Sequence, residues 1–127
     1  MKLRIKGSSL RLRVSRSEVA RLLTGSCLEE TIHFSSEANA SFTYALLQDP
    51  SVRAPTVRYT TNRVAVLLPA DLANVWGNTD QVGISEDISL GDIGSLTLLI
   101  EKDFACLDRS DEDMEDTFAN PNGCVKY

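Results

Sequence analysis

Long apolar runs, paired cysteines and catalytic motifs are all missing from this chain of 127 residues. The longest uninterrupted apolar stretch, Val64 to Leu68, is far too short for a helix that crosses a bilayer. Cations at Lys2, Arg4 and Lys6 have no apolar run behind them, so the N-terminus does not read as a signal peptide. Cys27, Cys106 and Cys124 are odd in number and lack paired spacing. That usage points to reduced thiols in a cytoplasm and away from a disulfide framework.

Catalytic signatures are equally scarce. There is no Gly-rich phosphate loop, no nucleophile elbow and no His-Glu helix motif. His33, Cys106, Asp108 and Cys124 could supply metal ligands, but the cysteine spacing fits no zinc pattern. A structural histidine and no cofactor are therefore expected, with a metal-binding protein as the third alternative function. Cys106 and His33 could be drawn as nucleophile and base, yet nothing in the sequence brings them together. The carboxylates of Asp111, Glu112, Asp113, Glu115 and Asp116 look like a solvated run, not an acid/base pair in contrasting environments. The expectation is a binding protein and not an enzyme.

What is present is enough for one core. A chain of this length with 43% hydrophobic residues makes a single domain over residues 1–127. The net charge of −5 conceals a division. Residues 1–54 carry eight Lys/Arg against five Asp/Glu, and residues 55–127 carry five against thirteen. Segregation of that kind fits a charged partner or tail, and equally fits ordinary solvated faces.

The chain also repeats itself at an offset of 54 residues. Leu3-Arg4-Ile5 returns as Val57-Arg58-Tyr59. Leu10, Leu12 and Val14 return as Val64, Val66 and Leu68, in the alternation of a half-buried strand. Phe42, Tyr44 and Leu46 return as Leu96, Leu98 and Ile100. Between these strands each copy holds a short amphipathic helix. In the first, Ser15 and Glu18 have capping-box spacing, Val19, Leu22 and Leu23 form the apolar stripe, and Gly25 is the stop. In the second, Pro69 suits the first helical position, Leu72, Val75 and Trp76 form the stripe, and Gly77-Asn78 ends it. Each unit reads ββαββ, over residues 2–48 and 56–102, joined by a proline-flanked stretch from Asp49 to Pro55. One such unit alone would bury too little surface to be stable, whereas two sharing a core would not. The expected class is mainly β with two short helices.

These residues suggest a family. Lys6-Gly7-Ser8-Ser9, followed by Leu12-Arg13-Val14, the helix and a closing hairpin, resembles the swapped-hairpin AbrB and MazE barrel family. The second copy, Val66-Leu67-Leu68-Pro69-Ala70-Asp71-Leu72, keeps that family's proline and loses its arginine. The resemblance implies that the two units interleave their hairpins into one barrel, as a pseudo-dimer within one chain. The whole chain, especially Met1 to Val19 and Ile100 to Leu107, is also similar to a group of small bacterial proteins without an assigned function.

The first hairpin carries the clearest functional signal. If Leu3, Ile5, Leu10, Leu12 and Val14 face the core, alternation puts Arg4, Lys6, Arg11 and Arg13 outside. Four cations on paired strands repel unless an anion joins them. Arginine forks bind phosphate well, and the Ser8 and Ser9 hydroxyls and the turn amides could assist. DNA or another polyanion is the leading ligand, and in the resembled family this surface contacts DNA, with Arg13 at its motif arginine. The bland alternative is a solvated face, or one neutralised by the acidic tail. It gains from the second copy, which has Ala65 and Leu67 where the first has Arg11 and Arg13.

Residues 103–127 form the acidic tail, punctuated by Phe104, Leu107, Met114 and Phe118. Such apolar anchors are unlike a disordered acidic run. In MazE-type antitoxins a comparable tail wraps a toxin, so an antitoxin-like module acting on a small basic protein is the competing expectation. The blander one is a tail docked on its own domain, with Phe104 and Leu107 packed near an otherwise exposed Leu67.

Overall fold

The computed structural model describes residues 1–104. The first unit contains β1 (Lys2–Lys6), β2 (Ser9–Val14), α1 (Arg16–Leu23), β3 (Leu28–His33) and β4 (Ser41–Gln48). The second contains β5 (Thr56–Thr60), β6 (Arg63–Leu68), α2 (Ala70–Asn78), β7 (Gly83–Ser89) and β8 (Ser95–Lys102), with a 3-10 turn at Gly91–Ile93 before β8. Strands β1, β2 and β4 recur as β5, β6 and β8 at the 54-residue offset, and β3 and β7 differ by the small insertion that a loop absorbs.

The units do not fold side by side. They exchange hairpins. One sheet has the order β1-β2-β8-β7 and the other β3-β4-β6-β5, so each holds one hairpin from either unit. The hairpins are antiparallel, and each sheet is joined at its centre by a parallel pair, β2 with β8 and β4 with β6. The central registers obey the repeat: Leu12 lies opposite Ile100, and Val66 lies opposite Leu46. A parallel neighbour cannot be reached by a tight turn; here the linker and β5 connect β4 to β6, and the intervening elements from α1 to β7 connect β2 to β8.

Inward-facing rows of both sheets meet in one cluster that holds Leu10, Leu12, Val14, Leu98, Ile100 and Ile84 from the first sheet. Leu28, Leu46, Val66 and Leu68 come from the second, and Val19, Leu22, Ala73 and Trp76 from the helices. Trp76 is fully buried and its indole N–H donates to the Val82 carbonyl over 3.1 Å, which satisfies the one polar atom the ring brings inside. The two sheets have no hydrogen-bonded ladder between them among the described residues.

Local chemistry sets the helix ends. The Glu18 amide donates to Ser15 Oγ and the Ser15 amide donates to a Glu18 oxygen, a complete capping box. Gly25, at φ +95°, follows the end of α1, where a left-handed conformation favours glycine. Two details depart from the sequence reading. Pro69 is the N-cap of α2 and Ala70 its first helical residue. Ala73, not Val75, completes the buried stripe with Trp76, and Val75 is 53% exposed. An eight- or nine-residue helix offers only about two turns, so a small rotation decides which neighbour goes inside.

One correction and one refinement concern the strands. Ile5 was expected in the core and is 61% exposed, because it lies near the open end of edge strand β1 with a neighbour on one side only. Leu67 was expected on the outer face, covered by Phe104 and Leu107; it lies on that face with only 3% of its surface accessible, and Leu107 lies outside the described residues. Its row neighbours are Leu47 and Thr56, so the outer face of this sheet is locally apolar where the other sheet's is charged.

The junction at the chain start is polar. The Met1 ammonium is paired with Glu18 and, at 3.1 Å, with Glu30, and the Tyr44 hydroxyl lies 3.3 Å from the Met1 carbonyl and from Glu30. At the repeat-equivalent positions stand Pro55, Leu72 and Leu98, so the same junction in the other half is apolar.

Candidate polyanion-binding face

The outer face of the β1-β2-β8-β7 sheet can be read row by row from its registers. Lys2, Arg13, Glu101 and Gly83 form one row across the four strands. Arg4, Arg11, Leu99 and Ser85 form the next, and Lys6, Ser9, Thr97 and Asp87 the third. Alternation along β2 puts Leu10, Leu12 and Val14 in the core and leaves Arg11 and Arg13 half-buried on the outside. Arg4, Lys6, Arg11 and Arg13 are therefore brought together on one face, as the alternation predicts.

Their charge is partly answered within the sheet. Arg13 Nε donates to Glu101 Oε1 over 2.8 Å, and Arg11 Nε lies 3.7 Å from the same oxygen. One carboxylate thus serves two guanidinium groups, at side-chain exposures of 30% and 29% for the arginines and 18% for the glutamate. Lys2 Nζ pairs with Asp103 at 3.2 Å, and the Asp103 amide donates to the Val14 carbonyl. Lys6 is exposed and has no ion pair among the described residues. Five cations share the face with Glu101, Asp103 and, on the far edge strand, Asp87.

The serines contribute less than expected. Ser8 Oγ donates to the Ser95 carbonyl and Ser9 Oγ donates to the Lys6 carbonyl over 2.6 Å. Both hydroxyl protons tie the β1–β2 turn to itself and to β8, so neither is offered to a ligand. Gly7 takes φ +54° in that turn, and Asn62 takes φ 61° in the β5–β6 turn. Arg16 and Arg21 are exposed on α1 and not on the sheet.

The matching face of the other sheet is different in kind. Its rows are Thr56, Leu67 and Leu47, then Arg58, Ala65, Ala45 and Glu29, then Thr60, Arg63, Thr43 and Thr31. Arg63 is paired one-to-one with Glu29 at 2.8 Å, and that hydrogen bond holds its pKa above the ordinary value. Positions 11, 13 and 101 of the charged sheet correspond to Ala65, Leu67 and Leu47 here. Among the described residues the basic face occurs once.

Sequence reasoning left Lys2 out of this face, although strict alternation through Lys2, Arg4 and Lys6 could have placed it there. It also missed Glu101, which is 88 residues from Arg13 and comes beside it only through the hairpin exchange. Phe104 is half-exposed just after β8. Leu107, Met114 and Phe118 lie outside the described residues, as do Cys106, Asp108 and Cys124. His33 ends β3 and is exposed. No group of three metal-binding side chains is clustered among the described residues. No helix there is long and apolar enough to cross a membrane.

A family model matches residues 1–122, nearly the whole chain. The chain belongs to the family of unknown function DUF7009. No curated protein sequence and no solved structure matches it. The match spans both repeats, so the DUF7009 unit is the duplicated one and includes the basic face.

Proposed function

We propose that the protein binds a polyanion, DNA foremost, on the outer face of the β1–β2 hairpin. The observation that carries this reading is the one-sidedness of the charge. Lys2, Arg4, Lys6, Arg11 and Arg13 occupy three successive rows of one sheet, and the corresponding face of the other sheet has only Arg58 and Arg63 in its rows. A solvated surface needs no such concentration, and like charges on paired strands cost stability in the absence of counter-ions.

The exchange of hairpins between two ββαββ units supports the resemblance to the AbrB and MazE barrels, and Arg13 stands at that family's motif arginine. A reader of a two-fold DNA site presents two equivalent surfaces. This chain presents one, with Ala65 and Leu67 in the second, so the expected mode is backbone binding with little sequence preference, in a cytoplasmic setting. Phosphate contacts of that sort position a protein without reading bases.

The competing reading, an antitoxin-like module that captures a small basic protein, draws on the half-exposed Phe104 at the head of the acidic segment. Pull-down from native lysate with and without nuclease separates the two. Nuclease-sensitive recovery of nucleic acid supports the basic face, and nuclease-resistant recovery of one small basic protein supports the tail.

A further inference from the structure

Glu101 is the residue on the basic face that no ligand-binding argument requires, and it is the best-placed carboxylate on that face. It comes from β8 of the second unit, while the two guanidinium groups it meets come from β2 of the first. Its single oxygen Oε1 is shared by both Nε atoms, at 2.8 and 3.7 Å. The three positions differ together between the repeats: Arg11, Arg13 and Glu101 against Ala65, Leu67 and Leu47. All three charges stand in one sheet, and none of them stands at the equivalent positions of the other.

We infer that Glu101 is a built-in, displaceable counter-ion that sets which anions the face accepts. This rests on the polyanion reading above. A half-buried arginine pair without a carboxylate would carry two like charges two residues apart on one strand. Glu101 relieves that repulsion in the unliganded protein. A ligand must then compete with a carboxylate already held in place, which a lone phosphate, carboxylate or chloride does poorly. A polyanion engages Lys2, Arg4 and Lys6 at the same time, so its next phosphate meets Arg11 and Arg13 at high effective concentration. Glu101 is thus a specificity-determining residue that favours chains of phosphates over single ones.

The test is a titration of a short labelled DNA duplex between about 50 and about 200 mM salt, since each phosphate neutralised adds about 0.9 to the slope of log K on log salt. Glu101→Gln keeps an oxygen that can accept the Arg13 Nε–H and removes the charge. Glu101→Leu installs the residue found at the equivalent position 47 and serves if the glutamine variant folds poorly. Both should bind about tenfold tighter at low salt, with a slope steeper by about one to two. They should also gain affinity for inorganic phosphate, and Arg11→Ala/Arg13→Ala in the Glu101→Gln background should abolish the gains. Asp92→Asn, an equal change of net charge in the exposed turn before β8, should have a much smaller effect. Equal or weaker binding by the Glu101 variants, or an equal gain from Asp92→Asn, overturns the inference and leaves the polyanion reading standing. No duplex binding by wild type and variants alike overturns both.

Discussion

Arg13 and Glu101 lie opposite one another in register, and the arginine Nε donates to the glutamate across 2.8 Å between strands that begin 86 positions apart in the chain. The contact joins the first hairpin of one repeat to the last strand of the other. It is both a structural seam between units and the electrostatic centre of the charged face.

The seam depends first on apolar packing beneath it. Leu12 is 1% exposed and faces Ile100 across the β2–β8 pair. Leu12→Ala should destabilise by about 2–5 kcal/mol, and Trp76→Ala by about 3–5 kcal/mol, in urea unfolding at neutral pH. A loss below about 1 kcal/mol for Leu12→Ala would contradict its place in the shared core.

Gly83 tests the backbone of the same sheet. A Cβ built there would meet the Ile100 carbonyl oxygen at 2.9 Å, a main-chain atom held in the ladder. Gly83→Ala should cost about 1–3 kcal/mol through overpacking at this half-buried edge-strand position. Gly77→Ala should be milder, because its nearest neighbour is the movable end of the Leu23 side chain.

The polar junction at Met1 gives a pH signature. Burial disfavours both charges, but for the ammonium the hydrogen bonds to Glu18 and Glu30 outweigh it, and the pKa is raised. For Glu18 burial is likewise outweighed, by the ammonium and by Ser15, and the pKa is lowered. A raised amine contributes stability that is complete below its ordinary pKa and lost as pH rises through the raised one. A lowered carboxylate contributes stability that is complete above its ordinary pKa and lost as pH falls through the lowered one. Their joint contribution therefore spans neutral pH, and fades in acid and in alkali. Glu18→Gln should lower the melting temperature most near neutrality and least at both extremes, as followed by circular dichroism. A flat difference across the pH range would contradict the ion pair.

Much of this architecture could be read from the sequence, and the reason is geometric. A repeat at a fixed offset carries its own alignment, so the equivalence of Leu12 with Val66, and the alternating rows that became β2 and β6, followed from alternation alone. Which hairpin pairs with which did not follow, because an inward leucine alternates in the same way whatever strand lies beside it. Ile5 was misplaced for that reason, and the apolar row around Leu67 went unseen. The exposure of each depends on its neighbours across the sheet, and those come from parts of the chain far away in sequence. The charged face was legible as far as β1 and β2 extend, from local alternation. Glu101 was not, and the hydroxyls of Ser8 and Ser9 looked available until β8 was set next to their turn.

The most direct test of the central claim is the salt dependence of duplex DNA binding by the wild-type chain and by Arg4→Ala/Lys6→Ala, outer-face changes on edge strand β1 at a half-buried and an exposed position, outside the apolar core. The expected result is binding at about 50 mM salt that weakens steeply toward about 200 mM, with a slope shallower by about two in the variant and little difference among DNA sequences. Binding with the same slope in both proteins, or none by the wild type at low salt, would contradict a polyanion site on the β1–β2 face.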